Sequence, residues 1–361
     1  MIRLTKPLMG SEEIAEVTAV LASGYLSRGP KIEQFENALR DYLNVRHAIT
    51  VSSGTAALHL ALLALGIGAG DQVIVPDFCF PAVANAVVLV GAQPVLCDID
   101  LATFNLDPVQ ARRCINNRTK AMVIVHQFGL AAAMRPLLEL AHQHELIVLE
   151  DAACALGAQW EGKKCGTSGH ASCVSFHPRK TITTGEGGVV LTHDDQVADR
   201  VRSLRHHGAQ KDDFRLVGFN YRMSDVNAAL GVAQLKRLDH LIQKRRELAG
   251  LYAKNLYRVQ EIFLPGDADG VNHTYQSYVI RLRDGLNRDL TIKVLGDHGI
   301  ESVIGTYAIH QLDYYKRATG DLTCSATAYR QTLALPLYPE MSSSQIEYVC
   351  DVLVGHIQSV V

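Results

Sequence analysis

The chain has 361 residues, of which 48% are hydrophobic and 20% are charged. A chain of this size and composition can bury a large core in one or two domains, which excludes a fibre, a disordered tail and a disulfide-stapled miniprotein. Its 35 Lys and Arg residues against 37 Asp and Glu residues leave a formal net charge of -2. Because the charges are spread along the whole chain, neither nucleic acid nor a membrane surface is expected as a partner.

The eight cysteines include no C-x-x-C pair, which argues against a zinc ribbon or a redox dithiol. We therefore expect reduced thiols and no metal site. The N-terminus lacks the apolar stretch of a signal peptide, and no later segment runs through 18 apolar residues. These features predict a cytoplasmic protein.

Two amphipathic patterns open the chain, one from Ser11 to about Gly24 and one from Pro30 to Leu43. Apolar runs rich in β-formers then alternate with helical patterns. Strands are predicted at residues 48–51, 72–75, 94–98, 121–125, 147–150, 172–176 and 188–192, and helices at residues 55–65, 82–90 and 134–144. This alternation predicts an α/β fold with a mostly parallel, seven-stranded sheet between layers of helices.

The C-terminal part has a different pattern. A long, charged helical stretch covers residues 224–256, and it is followed by a strand at 274–283, a helix at 290–299, a strand at 302–304 and a helix at 343–354. We place a domain boundary inside the long helical stretch. The prediction is a large domain at residues 1–245, with an N-terminal helical lead-in, and a smaller α+β domain at residues 246–361.

Three segments at the ends of predicted strands contain candidate functional residues. The first runs from a strand through Ser53, Gly54 and Thr55 into a helix. The start of a helix presents free N–H groups and the positive end of its dipole, and the glycine allows a phosphate to approach. A serine that merely caps an ordinary helix gives the same pattern.

The second segment ends a buried strand with Glu150 and Asp151, at the edge where open α/β sheets bind their ligands. A buried carboxylate needs a partner, and a protonated pyridine nitrogen is one such partner. A metal-binding carboxylate or a helix cap is the alternative.

The third segment places Lys180 after a strand, among hydroxyls and glycines. A lysine amine in such a setting can attack an aldehyde to form a Schiff base, whereas a lone lysine beside glycines is usually only solvated. Partners for a phosphate, a pyridine nitrogen and an aldehyde thus follow one another along the ends of strands of one sheet. Their joint occurrence favours a functional site.

Over nearly its whole length the chain resembles the pyridoxal-phosphate enzymes of the nucleotide-sugar aminotransferase family, the DegT/StrS type of fold type I. The motifs that carry the resemblance lie at residues 53–60, 150–153, 175–178 with Lys180, 183–188 and 220–223. The resemblance implies pyridoxal 5′-phosphate (PLP) as cofactor and a fold type I PLP-transferase architecture.

The resemblance also implies roles for individual residues. Lys180 would form the Schiff base and carry the proton, and Asp151 would pair with the pyridine nitrogen. Binding of the cofactor would further involve Ser53, Gly54, Thr55 and Ser175 around the phosphate, Phe80 over the ring, Cys154 beside the ring, and Asn220 from the second subunit of a homodimer with shared sites. Substrate binding is expected at His177, Tyr307 and His310.

Two residues depart from the family pattern. Cys154 stands where the family usually has a glutamine that hydrogen-bonds the phenolic oxygen of the cofactor, and a thiol is a weaker donor. Thr181 stands where the family commonly has asparagine. We expect these changes to alter the surroundings of the cofactor without removing the Schiff-base chemistry.

The reaction implied is transfer of an amino group from L-glutamate to C3 or C4 of a keto-deoxy sugar linked to a nucleotide diphosphate, in amino-sugar, O-antigen or glycoside biosynthesis. Alternatives within the family are a keto-sugar dehydratase, which has histidine in place of Lys180, a cyclitol aminotransferase and a non-catalytic regulatory protein. A nicotinamide-binding enzyme would need a G-x-G-x-x-G after the first strand, which is missing. Substrate choice is expected to depend on residues 206–215 and 305–315.

Overall fold

The computed structural model of the protein describes residues 1–211, 213–266, 270–316 and 320–360. Its helices are α1 (Ser11–Ser23), α2 (Pro30–Leu43), α3 (Gly54–Ala64), α4 (Ala82–Leu89), α5 (Pro108–Cys114), α6 (Met134–Gln143), α7 (Asp195–Leu204), α8 (Asp225–Lys236), α9 (Leu238–Leu256), α10 (Arg288–Asp297), α11 (Thr323–Gln331) and α12 (Ser343–Val360). Short 3₁₀ turns lie at Gln127–Gly129, Ile309–Gln311 and Asp313–Tyr315. Within the described residues, no helix is long and apolar enough to cross a membrane.

The strands in the first half of the chain are β1 (His47–Val51), β2 (Gln72–Pro76), β3 (Gln93–Cys97), β4 (Thr119–Val125), β5 (Ile147–Asp151), β6 (Gln159–Trp160), β7 (Lys163–Lys164) and β8 (Ala171–Ser175). Those in the second half are β9 (Gly188–Thr192), β10 (Ala209–Gln210), β11 (Asp213–Phe214), β12 (Ile262–Phe263), β13 (Val271–Asn272), β14 (Tyr278–Leu282), β15 (Val303–Ile304) and β16 (Thr332–Leu335).

The centre of the fold is a seven-stranded sheet in the order β1-β9-β8-β5-β4-β2-β3. Strand β9 is antiparallel to both of its neighbours, and the other adjacent pairs are parallel. Side chains alternate between two hydrophobic cores, one beneath α2, α6 and α8 and the other beneath α3, α4 and α7. The predicted α/β fold with a mostly parallel sheet between helices is confirmed.

The C-terminal part builds a second, antiparallel sheet in the order β12-β14-β16-β15, which packs with α9, α10 and α12. The sequence analysis did not predict β16, although it pairs with both β14 and β15, nor did it predict α11. The stretch predicted as continuously helical at 224–256 is two helices, because α8 ends at Lys236 and α9 begins at Leu238.

Helix α9 contributes to two hydrophobic cores. Leu241 and Ile242 pack in the core under the large sheet, whereas Leu248 and Tyr252 pack in the core of the C-terminal sheet. Ile2 also packs in the core of the C-terminal sheet.

The domain boundary at 245/246 stays a prediction. Residues 267–269, 317–319 and 361 of the predicted smaller domain, and residue 212 of the predicted specificity loop, lie outside the described residues.

The packing of α2 against α8 gives a test of the fold. A Cβ added at Gly231 in α8 would lie 2.5 Å from the ring of Phe35 in α2, which is fully buried. Gly231→Ala should therefore lower the free energy of unfolding by about 1–3 kcal/mol, as overpacking does. Urea unfolding measures this change.

Gly355 in α12 is the matched control, since it is exposed and has open space around an added Cβ. Gly355→Ala should raise the free energy of unfolding by about 0.5–1 kcal/mol, because alanine loses less backbone entropy in a helix. Equal effects of the two substitutions would contradict the described packing.

Candidate functional site

The carboxyl ends of the parallel strands and the start of the antiparallel β9 meet at one edge of the large sheet. Gly188, the first residue of β9, pairs with Val51 at the end of β1 on one side and with Ser175 at the end of β8 on the other. A cavity of about 360 Å³ opens at this edge. Its lining includes the predicted site residues Ser53, Gly54, Thr55, Phe80, Asp151, Cys154, Ser175, His177 and Lys180.

The first turn of α3 packs closely against neighbouring backbone at one wall of the cavity. Ser53 caps the helix, with its Oγ accepting from the N–H of Ala56 at 3.1 Å, so the capping interpretation of this serine is confirmed. A Cβ on Gly54 would lie 2.8 Å from Cβ of Ser175, and a Cβ on Gly188 would lie 2.5 Å from the carbonyl oxygen of Ser53. The missing side chains leave the free N–H groups of the first turn open to the cavity, as phosphate binding requires.

The two carboxylates at the end of β5 have different surroundings. Adjacent residues of a strand point to opposite faces of the sheet. Asp151 lines the cavity, and its Oδ1 accepts from the N–H of Ala153 at 2.9 Å. Burial raises the pKa of Asp151, and the hydrogen bond from Ala153 and the nearby Lys180 oppose this effect only in part. Asp151 is therefore a buried acceptor without a full set of partners, which suits a cationic N–H donor.

Glu150 is fully buried on the other face. It accepts hydrogen bonds from His126 Nε2 at 2.9 Å and from the N–H groups of Gly166 at 2.8 Å, Ser168 at 2.6 Å and Gly169 at 2.5 Å. Burial alone would raise the pKa of Glu150, but these donors together hold it below its ordinary value. Glu150 is thus a structural carboxylate that fixes the loop between β7 and β8.

Lys180 follows β8 and directs its amine into the cavity. The Nζ atom lies 3.0 Å from Sγ of Cys154, its one hydrogen-bond partner within the described part of the chain. Cys154 and Lys180 are both half-buried. The lysine is consequently held beside the cavity by a weak acceptor that a ligand can displace.

The cavity rim has aromatic and imidazole groups. Phe80 is 64% exposed and meets the ring of Tyr307 edge-on, with centroids 6.3 Å apart. This contact puts Tyr307 beside the rim. Burial, with Lys180 and Arg179 nearby, lowers the pKa of His177, although Glu186 opposes the shift.

Three predicted site residues do not line this cavity: Tyr307, which touches it only through Phe80, and also His310 and Asn220. His310 donates its backbone N–H to Oδ1 of Asp77 at 2.8 Å, and its Nδ1 lies 2.6 Å from Oδ2 of the same buried carboxylate. Asn220 is exposed, and its backbone pairs with His206. The roles proposed for these three residues from the resemblance stay predictions.

The sequence analysis also missed polar residues of the cavity wall, namely Gln127, Arg179, Glu186 and Gln276. Arg179 and Glu186 lie in or beside the motifs around Lys180. Their closeness to Lys180 in the sequence could therefore have identified them as residues of the cavity. Gln276 had none, because it approaches from the C-terminal part through contacts that are distant in sequence, including a bond from its Nε2 to the carbonyl of Arg179 at 2.7 Å.

Comparison with known proteins assigns the chain to a family. Residues 7–354 match the DegT/DnrJ/EryC1/StrS aminotransferase family. The chain belongs to this family. It is 41% identical to the GDP-perosamine synthase of Caulobacter vibrioides, over 96% of each chain. The chain is therefore an enzyme, a sugar aminotransferase that depends on PLP.

Solved structures agree with this assignment. The aminotransferase TlmJ from Streptoalloteichus hindustanus matches with a TM-score of 0.96 and 32% identity, over 100% of both chains. The PLP form of the putative sugar aminotransferase Spr1654 from Streptococcus pneumoniae matches with a TM-score of 0.94 and 26% identity, over 99% of both chains. The fold type I architecture predicted from the sequence is confirmed.

The residues of the cavity fit PLP. The first turn of α3 offers N–H groups to a phosphate, Asp151 offers a buried acceptor to the pyridine nitrogen, and Lys180 presents an amine to the same cavity. Exposed Phe80 offers an aromatic face at the rim.

Substitution of the two neighbouring carboxylates should have different effects on the free energy of unfolding. Glu150→Gln should lower the free energy of unfolding by about 3–5 kcal/mol, because it breaks a buried, hydrogen-bonded pair. Asp151→Asn should change it by less than about 1 kcal/mol or raise it, since the charge is buried without full compensation. Urea unfolding of the cofactor-free proteins gives both values, and a larger loss in Asp151→Asn would contradict this assignment.

The stabilisation by Glu150 should depend on pH. Its pKa is lower in the folded protein than its ordinary value of 4.5, so the contribution is present above that value and is lost as the pH falls through the folded pKa. The difference in unfolding free energy between wild type and Glu150→Gln should therefore begin to shrink only below about pH 4.5 and should shrink further as the pH approaches the folded pKa. A difference that stays constant from pH 4.5 down to the lowest pH at which both proteins remain folded would contradict an ionised Glu150.

Proposed function

We propose that this enzyme transfers the amino group of L-glutamate to C3 or C4 of a keto-deoxy sugar carried on a nucleotide diphosphate. One observation supports the proposal most directly: Lys180, Asp151 and the open first turn of α3 face one cavity at the sheet edge. The name of the Caulobacter relative, which denotes synthesis of a GDP-linked amino sugar, supports a nucleotide-sugar substrate. The product would serve amino-sugar, O-antigen or glycoside biosynthesis.

Each site residue then has a defined task. Bound PLP supplies an electron sink for the carbon that loses its proton. Lys180 takes the proton from the α-carbon of the donor in the first half-reaction and delivers a proton to the sugar carbon in the second, and Asp151 keeps the pyridine nitrogen protonated. Gly54 and Thr55 bind the phosphate with backbone N–H groups, while Phe80 covers one face of the ring. The cytoplasmic location expected from the sequence stays a prediction.

An absorption spectrum tests the donor half-reaction. The purified enzyme should have the visible band of a lysine-bound cofactor, and L-glutamate should bleach it as 2-oxoglutarate forms. Lys180→Ala should lack this band and lose at least about 10³-fold in rate, because the lysine carries the proton in both halves. The change is followed spectrophotometrically, with 2-oxoglutarate measured separately.

Lys164→Ala is the matched control, since Lys164 contacts the ring of Tyr42 and does not line the cavity. It should keep both the band and the bleaching. A wild-type band that L-glutamate leaves unchanged would reject the donor. If the bleached enzyme regains its band with no nucleotide-linked keto sugar but does so with a free cyclitol ketone, the cyclitol alternative replaces the acceptor proposed.

We further propose a homodimer in which Asn220 reaches the cofactor phosphate of the second subunit. Asn220 is exposed in the single chain and lies outside the cavity of its own subunit. The same loop exposes the apolar side chains of Phe214, Leu216 and Val217, the last by 90%. Apolar groups presented together on a loop support a buried interface.

Complementation between inactive variants tests the shared site. Lys180→Ala supplies an intact Asn220, and Asn220→Asp, which repels the phosphate, supplies an intact Lys180. After the two proteins are unfolded and refolded together, about a quarter of wild-type activity should return, since half of the dimers are mixed and each holds one intact site. Activity no higher than that of the separate variants would reject the shared site, as would a monomer by light scattering.

A further inference from the structure

The cationic residue beside Lys180 has no assigned role. Arg179 lines the cavity and is exposed, and its guanidinium makes no hydrogen bond or ion pair within the described residues. Exposed arginines of this kind are common on protein surfaces, but few of them line a cavity that must bind anionic substrates.

The backbone of Arg179 is held from two sides. Its carbonyl accepts from Nε2 of Gln276 at 2.7 Å, and its N–H donates to Nδ1 of His177 at 3.2 Å. Gln276 is in turn fixed, because its own carbonyl accepts from the fully buried Arg245 at 3.2 Å. The base of the Arg179 side chain is therefore positioned by the C-terminal part of the protein, while its charged end is left for a ligand.

The other ionisable groups of the cavity lining cannot bind an anionic substrate, because they are acidic, neutral or assigned to the Schiff base. Among the described lining residues, Asp151 and Glu186 are acidic, and Lys180 is the Schiff-base lysine. The pKa of His177 is lowered by burial and by the two neighbouring cations, although Glu186 opposes this, so the ring is mostly neutral at pH 7. Arg179 is consequently the cation available to an anionic substrate at this cavity.

The amino donor brings an anion to this neighbourhood. Its reacting carbon must come within reach of Lys180 Nζ for proton transfer, and the α-carboxylate is bonded directly to that carbon. Consecutive Cα atoms are about 3.8 Å apart, and Arg179 and Lys180 both line the cavity, so the guanidinium can reach the carboxylate. The planar fork of arginine matches a carboxylate with two parallel hydrogen bonds.

We infer that Arg179 binds the α-carboxylate of the amino donor and thereby selects an α-amino acid over other amines. The inference rests on the proposed function only for the identity of the donor, because every L-amino acid has the same carboxylate. It assigns Arg179 to the first half-reaction and leaves the nucleotide sugar to other residues.

The test compares two donors that differ by this one group. L-Glutamate and 4-aminobutyrate share a carbon skeleton, except that 4-aminobutyrate lacks the α-carboxylate. Rapid mixing of the PLP-loaded enzyme with each amine gives a bleaching rate and a half-saturation concentration. Arg179→Gln should raise the half-saturation concentration for L-glutamate by about 10- to 100-fold and leave that for 4-aminobutyrate unchanged.

Two further variants separate binding from general disruption. Arg179→Lys, which keeps the charge but not the fork, should restore part of the preference for L-glutamate. Arg258→Gln removes an exposed arginine that contacts Tyr257, away from the cavity, and should match wild type. The unliganded cofactor band should be the same in all four proteins.

The outcomes are distinct. If Arg179→Gln weakens both amines equally, or neither, the inference is overturned. If it weakens only the binding of GDP, used as a probe of the nucleotide diphosphate and measured by calorimetry, Arg179 serves the other substrate and the inference is again overturned. If wild type ignores L-glutamate, the proposed donor fails, and the comparison is repeated with the L-amino acid that bleaches the band and its decarboxylated amine.

Discussion

The site depends on the close approach of three backbone segments at one edge of the large sheet. Gly188 begins β9 between the ends of β1 and β8, and an added Cβ there would lie 2.5 Å from the carbonyl oxygen of Ser53. Gly54 faces Ser175 under the same constraint. Only glycine allows this packing. As a result, the first turn of α3 lines the same cavity as Asp151 and Lys180. The proposed phosphate binding, ring binding and Schiff-base chemistry thus all depend on one piece of backbone geometry.

The period of the β-strand then divides the work of two adjacent carboxylates. Glu150 points away from the cavity and collects hydrogen bonds from His126 and three backbone N–H groups, whereas Asp151 points into it with a single backbone donor. One residue stabilises the strand end, and the other is left under-satisfied until a ligand supplies a cationic N–H. Such an arrangement lowers stability at Asp151, the residue proposed to bind the cofactor, and raises it at the neighbouring Glu150.

Most of the large sheet was predictable from the sequence because its strands are apolar runs separated by helices, and the glycines and hydroxyls at their ends indicated the edge at which the cavity lies. The sequence did not indicate β16, because its pairing with β14 and β15 is set by contacts distant in the chain. The break at Arg237 was hidden by an uninterrupted helical pattern. Asp77, which holds His310, and Gln276, which holds Arg179, were missed for the same reason: each contact joins the two parts of the protein.

The central claim is that Lys180 is the amine that meets the cofactor at this edge, and chemical trapping tests it most directly. Reduction of the PLP-loaded enzyme with borohydride converts a Schiff base into a stable secondary amine, which mass spectrometry of proteolytic peptides can locate. The account predicts a single modified peptide, with the cofactor on Lys180, and no modification after prior treatment with L-glutamate. Modification of another lysine, or retention of the cofactor without any trapped lysine, would contradict it.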